Sequence, residues 1–174
     1  ELDDQICQRL GRTVDVDSNA ALADAIELAG LSKGFATTPT GKRSTAKDSL
    51  IDAISDPTLL GRLLVRGSVA TCLRTFMQNW LIQGQEHGKL FVKWNQIRNY
   101  TDTGARTGRL SSSPNLQNIP VTWEGLRAQL EGIGYELEFP LPNVRQYIIP
   151  KPGHVFIGRD YSAQEMKLLA HFTE

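Results

Sequence analysis

The fold is decided by residues 56–84, which read DPTLLGRLLVRGSVATCLRTFMQNWLIQG. Asp56 and Pro57 mark a helix start, because Asp accepts backbone N–H hydrogen bonds at an N-cap and Pro fits the first helical position. Apolar residues then recur at helical spacing until Gly84. At 1.5 Å per residue the predicted helix is roughly 40 Å long. Its apolar stripe needs a partner to cover it.

Four shorter helices are predicted from apolar periodicity and from start and stop residues. The first begins at Asp17-Ser18 and ends at Gly30. The other three cover Thr45 to about Ile54, Trp123 to Gly132, and Ser162 to the last residue. The helices that start at Thr45 and at Ser162 begin with capping-box patterns, in which two side chains satisfy the first backbone N–H groups. Because the last pattern has no stop signal, we expect the chain to be part of a longer protein.

The chain after Gly88 has the character of strands and loops. Residues 90–92 are strand-like, and residues 101–120 are rich in Gly, Ser, Asn and Pro. Residues 144–149 and 154–160 flank a Pro-Lys-Pro-Gly turn and are predicted to pair as a β-hairpin. The sequence therefore predicts an α+β fold, with helices first and part of an antiparallel sheet after them.

Composition and charge restrict the function classes only partly. No apolar run approaches the roughly 20 residues that span a bilayer, and two cysteines without a Cys/His cluster predict neither a disulfide framework nor a zinc site. The zero net charge is uneven, with −5 over residues 1–32, +7 over 33–109 and −2 over 110–174. A basic middle suits a phosphate backbone. A solvated basic helix face has the same pattern, and charge alone does not decide.

Residues 106–120, RTGRLSSSPNLQNIP, are dense in hydrogen-bonding groups. Arg106 and Arg109 offer planar forks of donors, and the amides offer donors and acceptors. Such a segment suits the phosphates, sugars and base edges of a duplex. By residue type alone, an ordinary surface loop with an Arg tied to a nearby carboxylate is the favoured alternative.

Residues 156–165, FIGRDYSAQE, place Asp160 where an apolar strand is predicted to end and a helix to begin. A carboxylate there can hold a divalent cation near a substrate phosphate, since Mg²⁺ prefers oxygen ligands. The alternative is that Asp160 only favours the helix N-terminus. Residue type leaves both open.

Four segments together resemble the signature motifs of family A (bacterial DNA polymerase I-like) DNA polymerases. They are TGKRST at residues 40–45, TGRLSS at 107–112, PNLQNIP at 114–120, and DYSAQEMKLLAH at 160–171, which is similar to motif A. Their order and spacing match the family over nearly the whole chain. The resemblance implies a thumb followed by the first part of a palm, with segments 1–17 (lead-in), 18–86 (thumb) and 87–174 (partial palm). It also implies that the Pro57–Gln83 helix belongs to a long antiparallel helix pair.

The resemblance implies a role for each matching residue. Asp160 and the Tyr161 carbonyl would bind the two Mg²⁺ ions of the complete enzyme. Glu165 would exclude a 2′-hydroxyl beneath the incoming sugar. The nucleotide pocket would be formed by Tyr161, Ser162, Gln164 and Glu165. The DNA contacts would come from Lys42, Arg43, Ser44 and Thr45 at the thumb tip and from Arg106, Arg109, Ser111, Ser112, Asn115, Gln117 and Asn118, with Arg109 in the minor groove at the primer end.

This sequence departs from the family pattern in three places. Ala163-Gln164 stands where Gln-Ile is usual, Lys167 stands where Arg is usual, and residues 121–143 form a longer segment than in bacterial enzymes. Lys keeps the charge but not the bidentate fork of Arg. These departures indicate a divergent or phage-like branch.

The implied activity is DNA-directed DNA polymerisation, the addition of a dNTP to a primer 3′ end. The fingers and the second catalytic Asp of the family have no counterpart in these 174 residues, so we expect the chain alone to bind primer–template DNA without catalysis. Its partners would be primer–template DNA, dNTP and the rest of the polymerase chain, with no membrane, in the cytoplasm of a bacterial or phage-infected cell.

Two other functions stay open. One is a non-catalytic duplex-binding module derived from a polymerase thumb. The other is a metal-dependent nuclease, for which the acidic start of the chain offers Asp3, Asp4, Asp15 and Asp17. We interpret that start as a solvated acidic segment.

Overall fold

The computed structural model describes residues 1–96, 107, 109–120 and 122–173. It confirms the α+β class, because helices dominate and the described strands form one two-stranded antiparallel sheet. No described helix is long and apolar enough to cross a membrane. In chain order the elements are α1 (Leu2–Leu10), α2 (Asn19–Leu28), α3 (Lys47–Ala53), α4 (Pro57–Cys72), a π-helical segment (Leu73–Met77), α5 (Gln78–His87), β1 (Lys93–Asn95), β2 (Ser111–Ser113), α6 (Glu124–Gly132), a 3₁₀ turn (Val144–Tyr147) and α7 (Gln164–Thr173).

The predicted long helix is present and begins where expected. Asp56 caps it by accepting a hydrogen bond from the Leu59 N–H at 2.8 Å, and Pro57 occupies the first turn. α4, the π-helical segment and α5 follow one another without a break. The predicted end at Gly84 was wrong. The helix continues to His87 and ends at Gly88, whose φ of 64° is a left-handed conformation that glycine adopts at little cost.

The apolar stripe of α4 is buried by several short elements, whereas a long antiparallel helix pair had been expected. Within the described ranges, α1, α2, α3 and α6 surround α4 and share one hydrophobic core with it. Ile6, Ile26, Leu59 and Val65 are among its fully buried side chains. Short helices are marginal by themselves, so their stability depends on this shared burial.

Two carboxylates of the acidic start take part in the fold. Arg66 of α4 donates to Asp3 at 2.8 Å and to Asp17 at 2.7 Å, and Arg74 donates to Asp17 at 2.9 Å. These hydrogen bonds hold the pKa of Asp17 at about 2. Asp3 and Asp17 are exposed, in agreement with the predicted solvated segment, and their ion pairs also link the beginning of the chain to the long helix.

Residues 133–141, here named the strap, follow α6 without a regular helix or strand and pack against the main core. Its alternate apolar residues, from Ile133 to Leu141, pack against that core, while the residues between them are exposed. Glu138 contacts Arg62 of α4 and Gln5 of α1, at 3.4 and 3.3 Å. The strap belongs to the segment that the sequence had marked as longer than in bacterial enzymes. That segment is therefore built into the helical core.

The predicted β-hairpin over 144–160 was wrong. Val144 is 2% exposed and enters a hydrophobic cluster through the 3₁₀ turn, and residues 151–163 have no regular structure. Alternating apolar residues form a strand only when a neighbouring strand accepts their backbone hydrogen bonds. The strand expected at 90–92 also lies three residues later, as β1, because its pairing with β2 fixes its position.

The two predicted capping boxes were also wrong. α3 begins at Lys47, and it is Ser44 whose hydroxyl accepts the Ala46 N–H, at 3.4 Å. α7 begins at Gln164, after Ala163 with a φ of 49°. Both patterns predicted the right helices with starts displaced by two residues, which is common at helix ends. The amphipathic helix over 123–132 is confirmed as α6.

Replacing Gly61 by Ala tests the packing of the strap on α4. A β-carbon at Gly61 would overlap the ring of Tyr135, whereas one at Gly67 of the same helix has nothing within 4 Å. We expect Gly61→Ala to lower the free energy of unfolding by about 1–3 kcal/mol through overpacking. The matched Gly67→Ala variant should be neutral or more stable by up to about 1 kcal/mol, since Ala favours helix. Urea unfolding measures both, and equal effects would contradict the placement of the strap.

Replacing Asp56 by Asn tests the ion pair between Asp56 and Arg9. Burial raises the pKa of Asp56, but hydrogen bonds from Arg9 and the Leu59 N–H outweigh it, so this pKa lies below its ordinary 3.8. A carboxyl with a lowered pKa stabilises the fold above pH 3.8 and loses that effect as the pH falls through its folded-state value. Since Asn still caps the helix, Asp56→Asn should be less stable than wild type at pH 7, with a difference that shrinks below pH 3.8. A difference independent of pH in urea unfolding would contradict the pair.

Candidate nucleic-acid interface

The second half of the long helix carries a separate hydrophobic cluster that supports the PNLQNIP segment. Cys72, Phe76, Trp80 and Val144 are its buried members, and the rings of Phe76 and Trp80 lie 5.8 Å apart. Partly buried side chains packed against them include Leu116 and Ile119, the two internal apolar residues of the segment. The π-helical segment Leu73–Met77 lies at this cluster. The sequence analysis did not predict this support, although the position of Leu116 and Ile119 between amide residues indicates it.

The small sheet fixes the beginning of the same segment. β1 pairs with β2 so that Trp94 lies opposite Ser112 and Asn95 opposite Ser111. Asn95 is buried and donates to the Ser113 hydroxyl at 3.0 Å. The Ser112 hydroxyl accepts the N–H of Leu116 at 3.0 Å. Ser111 and Ser112, predicted to contact DNA, therefore lie in a strand, and the Ser112 hydroxyl also shapes the loop that follows.

The amides of the loop are divided between internal and outward positions. The Asn115 side chain accepts the N–H groups of Gln117 and Asn118, at 3.1 and 3.3 Å, which forms an Asx-type turn. Gln117 donates to the Leu110 carbonyl at 2.9 Å while remaining exposed. Gln117 and Asn118 are the exposed amides of the segment. Arg106 lies outside the described residues.

Arg109 of the TGRLSS segment contacts Glu165 of the motif-A-like segment. The Arg109 Nη2 donates to the Glu165 Oε1 at 2.7 Å, and the side chains are 76% and 83% exposed. Fifty-six positions separate the two residues. The structure thus brings together two of the segments that the sequence had singled out, and the contact is one of an Arg with a nearby carboxylate.

Asp160 and its neighbours lie on the surface, and they are close to Glu165 in the sequence. The Asp160 carboxylate accepts the Tyr161 N–H at 2.8 Å, and Ser162, Gln164 and Glu165 are exposed as well. A carboxylate and a backbone carbonyl are hard oxygen donors of the kind that Mg²⁺ prefers, together with waters and substrate oxygens. Within the described ranges no group of three or more His, Cys, Asp or Glu forms a metal cluster. Asp160 and Tyr161 therefore fit part of a magnesium site.

The TGKRST segment forms a short looped-back turn with an antiparallel bridge between Thr37 and Arg43. Arg43 is ion-paired with Asp24 and with Glu27, the latter at 2.6 Å, and the Asp24 hydrogen bond raises the pKa of Arg43. The other predicted contact residues differ in exposure. Ser44 and Thr45 are half-buried, Ser44 accepts from the Ser49 hydroxyl at 2.8 Å, and Lys42 is exposed.

Several arginines of the basic middle are paired with carboxylates of the acidic ends. Arg43, Arg62, Arg66 and Arg74 all pair with carboxylates outside residues 33–109. Part of the uneven charge therefore takes part in contacts within the fold. Lys42, Lys89 and Lys93 are exposed cations on the described part of this block, and the exposed Arg109 pairs with Glu165.

An unpacked surface follows the strap. Every described residue from 151 to 173 is exposed, including all of α7. Large apolar side chains are among them, at 49–88% exposure: Val155, Phe156, Ile157, Tyr161, Met166, Leu168, Leu169 and Phe172. So much exposed apolar surface is typical of an interface with another part of a protein.

Comparison with known proteins agrees with this combination of segments. The family model described as DNA polymerase family A matches residues 1–174. A DNA polymerase I of Rhizobium leguminosarum is 33% identical over 99% of this chain and 15% of its own length. A thermostable DNA polymerase I of Thermus thermophilus is 28% identical over 99% of this chain and 19% of its own, and one of Caldicellulosiruptor bescii is 42% identical over 43% and 7%. The chain thus spans under a fifth of the length of these relatives. It belongs to DNA polymerase family A.

Proposed function

We propose that this chain is the thumb and the first part of the palm of a DNA-directed DNA polymerase, and that it binds the primer end of primer–template DNA. The contact between Arg109 and Glu165 carries the proposal. It joins a segment suited to grip a duplex to the segment that bears Asp160. In the complete enzyme this neighbourhood would hold the primer 3′ end beside the incoming dNTP. The domain limits 1–17, 18–86 and 87–174 are part of the same proposal.

The DNA would be held mainly from one loop. Arg109 offers an exposed guanidinium for minor-groove acceptors or phosphates, and Gln117 and Asn118 offer exposed amides beside it. Ser112 and Asn115 contribute by fixing the loop. At the thumb tip, exposed Lys42 is the main phosphate contact, since Arg43 is already paired with two carboxylates. Because such contacts are largely to the backbone, binding should be salt-sensitive and weakly dependent on sequence.

The nucleotide end of the site would be formed by the motif-A-like segment. Asp160 and the Tyr161 carbonyl would hold magnesium, with further ligands from the rest of the polymerase chain, DNA and dNTP. When bound, two Mg²⁺ ions stabilise the attacking and leaving oxygens of nucleotidyl transfer. Ser162 and Gln164 would line the nucleotide pocket. Glu165 would lie beneath the sugar and exclude a 2′-hydroxyl.

The rest of the polymerase chain is the proposed partner for the unpacked surface of residues 151–173. Its exposed apolar side chains need cover that the described residues before 151 do not supply. The location of the whole protein would be the cytoplasm of a bacterial or phage-infected cell.

The first alternative, a duplex-binding module without catalysis, differs from this proposal only in whether the longer protein is catalytic. A polymerase activity of that protein that depends on Asp160 separates the two. The nuclease alternative is weaker, because Asp3 and Asp17 are engaged in ion pairs with Arg66 and Arg74 of the long helix.

Replacing Arg109 by Ala tests the DNA-binding proposal. We expect the chain to bind primer–template DNA at low salt and Arg109→Ala to weaken that binding roughly fivefold or more. Blunt duplex lacks a recessed primer end, so its binding should fall less. Arg127→Ala on α6 is a matched control, since Arg127 is also exposed. Fluorescence anisotropy measures all three. Equal losses on primer–template and blunt DNA, or the same loss in Arg127→Ala, would contradict the role of Arg109.

The isolated chain is expected not to extend a primer, because one carboxylate of the metal site cannot position two ions. Incubation with labelled primer–template, four dNTPs and Mg²⁺ tests this by gel electrophoresis. Any product must be compared with that of Asp160→Ala, which identifies a contaminating polymerase. Extension by wild type that Asp160→Ala abolishes would show that the chain is catalytic by itself.

A further inference from the structure

The exposed guanidinium of Arg109 has two possible ligands. In the free chain that group is bound to Glu165 at 2.7 Å. In the proposed function it binds acceptors of the primer end. Since both ligands are hydrogen-bond acceptors that approach the same fork of donors, they compete, and a carboxylate also repels the phosphates of an approaching strand.

We propose that the Arg109–Glu165 ion pair is an intramolecular competitor of DNA, which lowers affinity for the primer end until Glu165 is displaced. This inference rests on the proposed function and adds a regulation to it. The chain's own acid holds the DNA-gripping arginine when no duplex is present. Engagement of the primer end then releases Glu165 for the nucleotide side of the site.

Because the pair is exposed, it is weak enough for a primer end to displace it. With side chains 76% and 83% exposed, it is a surface ion pair, and such pairs change an equilibrium by at most about fivefold. A primer end that makes several contacts can displace so weak a competitor. A buried pair would instead block the site.

Helix α7, which bears Glu165, can move away from Arg109. Glu165 lies in the first turn of α7, and every described residue of α7 is exposed. Arg109, by contrast, lies two residues before β2, which is paired in the sheet, and the loop after β2 is held by the Ser112 and Asn115 hydrogen bonds. Displacement therefore moves the acid, while the DNA-gripping segment keeps its shape. By thermodynamic linkage, whatever favours the freed carboxylate favours DNA binding to the same extent.

Replacing Glu165 by Gln tests the competition, because Gln keeps the shape and removes the charge. We expect Glu165→Gln to bind primer–template DNA two- to fivefold more tightly than wild type at low salt, and the gain to vanish in an Arg109→Ala background. Glu136→Gln on the strap is the matched control, since it removes the same charge from another exposed position. Its gain should be clearly smaller. Anisotropy titrations of the five proteins complete the double-mutant cycle.

The outcomes separate the inference from the proposed function. If wild type does not bind primer–template DNA at low salt, the proposed function fails and the inference with it. If wild type binds but Glu165→Gln gains no more than Glu136→Gln, or keeps its gain without Arg109, the competition is overturned and the proposed function stands. As a second readout, the ¹³C carboxyl signal of Glu165 should shift when primer–template DNA is added to wild type. An unchanged signal at saturating DNA would also overturn the competition.

Discussion

The apolar stripe of one long helix has to be covered along its whole length, and the rest of the structure follows from that constraint. Along α4 the cover comes from α1, α2, α3, α6 and the strap. Beyond Cys72 it comes from Leu116, Ile119 and Val144. The candidate DNA-binding loop is thus held in place because its apolar residues complete the burial of the same helix that organises the helical core.

This arrangement explains why the PNLQNIP segment combines apolar and polar residues. In PNLQNIP, Leu116 and Ile119 face the helix, Asn115 closes a turn, and Gln117 and Asn118 remain exposed. Burial fixes the backbone, and the fixed backbone presents the polar side chains. Charge is used similarly. Arginines of the long helix bind carboxylates of the chain's beginning, whereas Arg109 is an exposed arginine beside the loop.

What the sequence could predict depended on whether the signal was local. The Ser18 and Asp56 caps, Pro57 and the periodicity of α6 act within a few residues, and those helices were found. Helix α1 was not, although Leu2, Ile6 and Leu10 recur every four residues and pack in the core. The hairpin over 144–160 failed because a strand needs a partner that its own residues cannot specify. The ion pair of Arg109 with Glu165 could not be derived either, since loop conformation alone decides which carboxylate an exposed arginine meets.

The central claim is that the loop of residues 109–118 and the segment of residues 160–165 border one place for a primer end. A nitroxide spin label on the 3′-terminal nucleotide of the primer tests it directly, through the broadening of backbone amide NMR signals in the DNA-bound chain. If both segments border the primer end, broadening should be strong in both of them and weak in α1. Broadening confined to one segment, or strongest in α1, would contradict it.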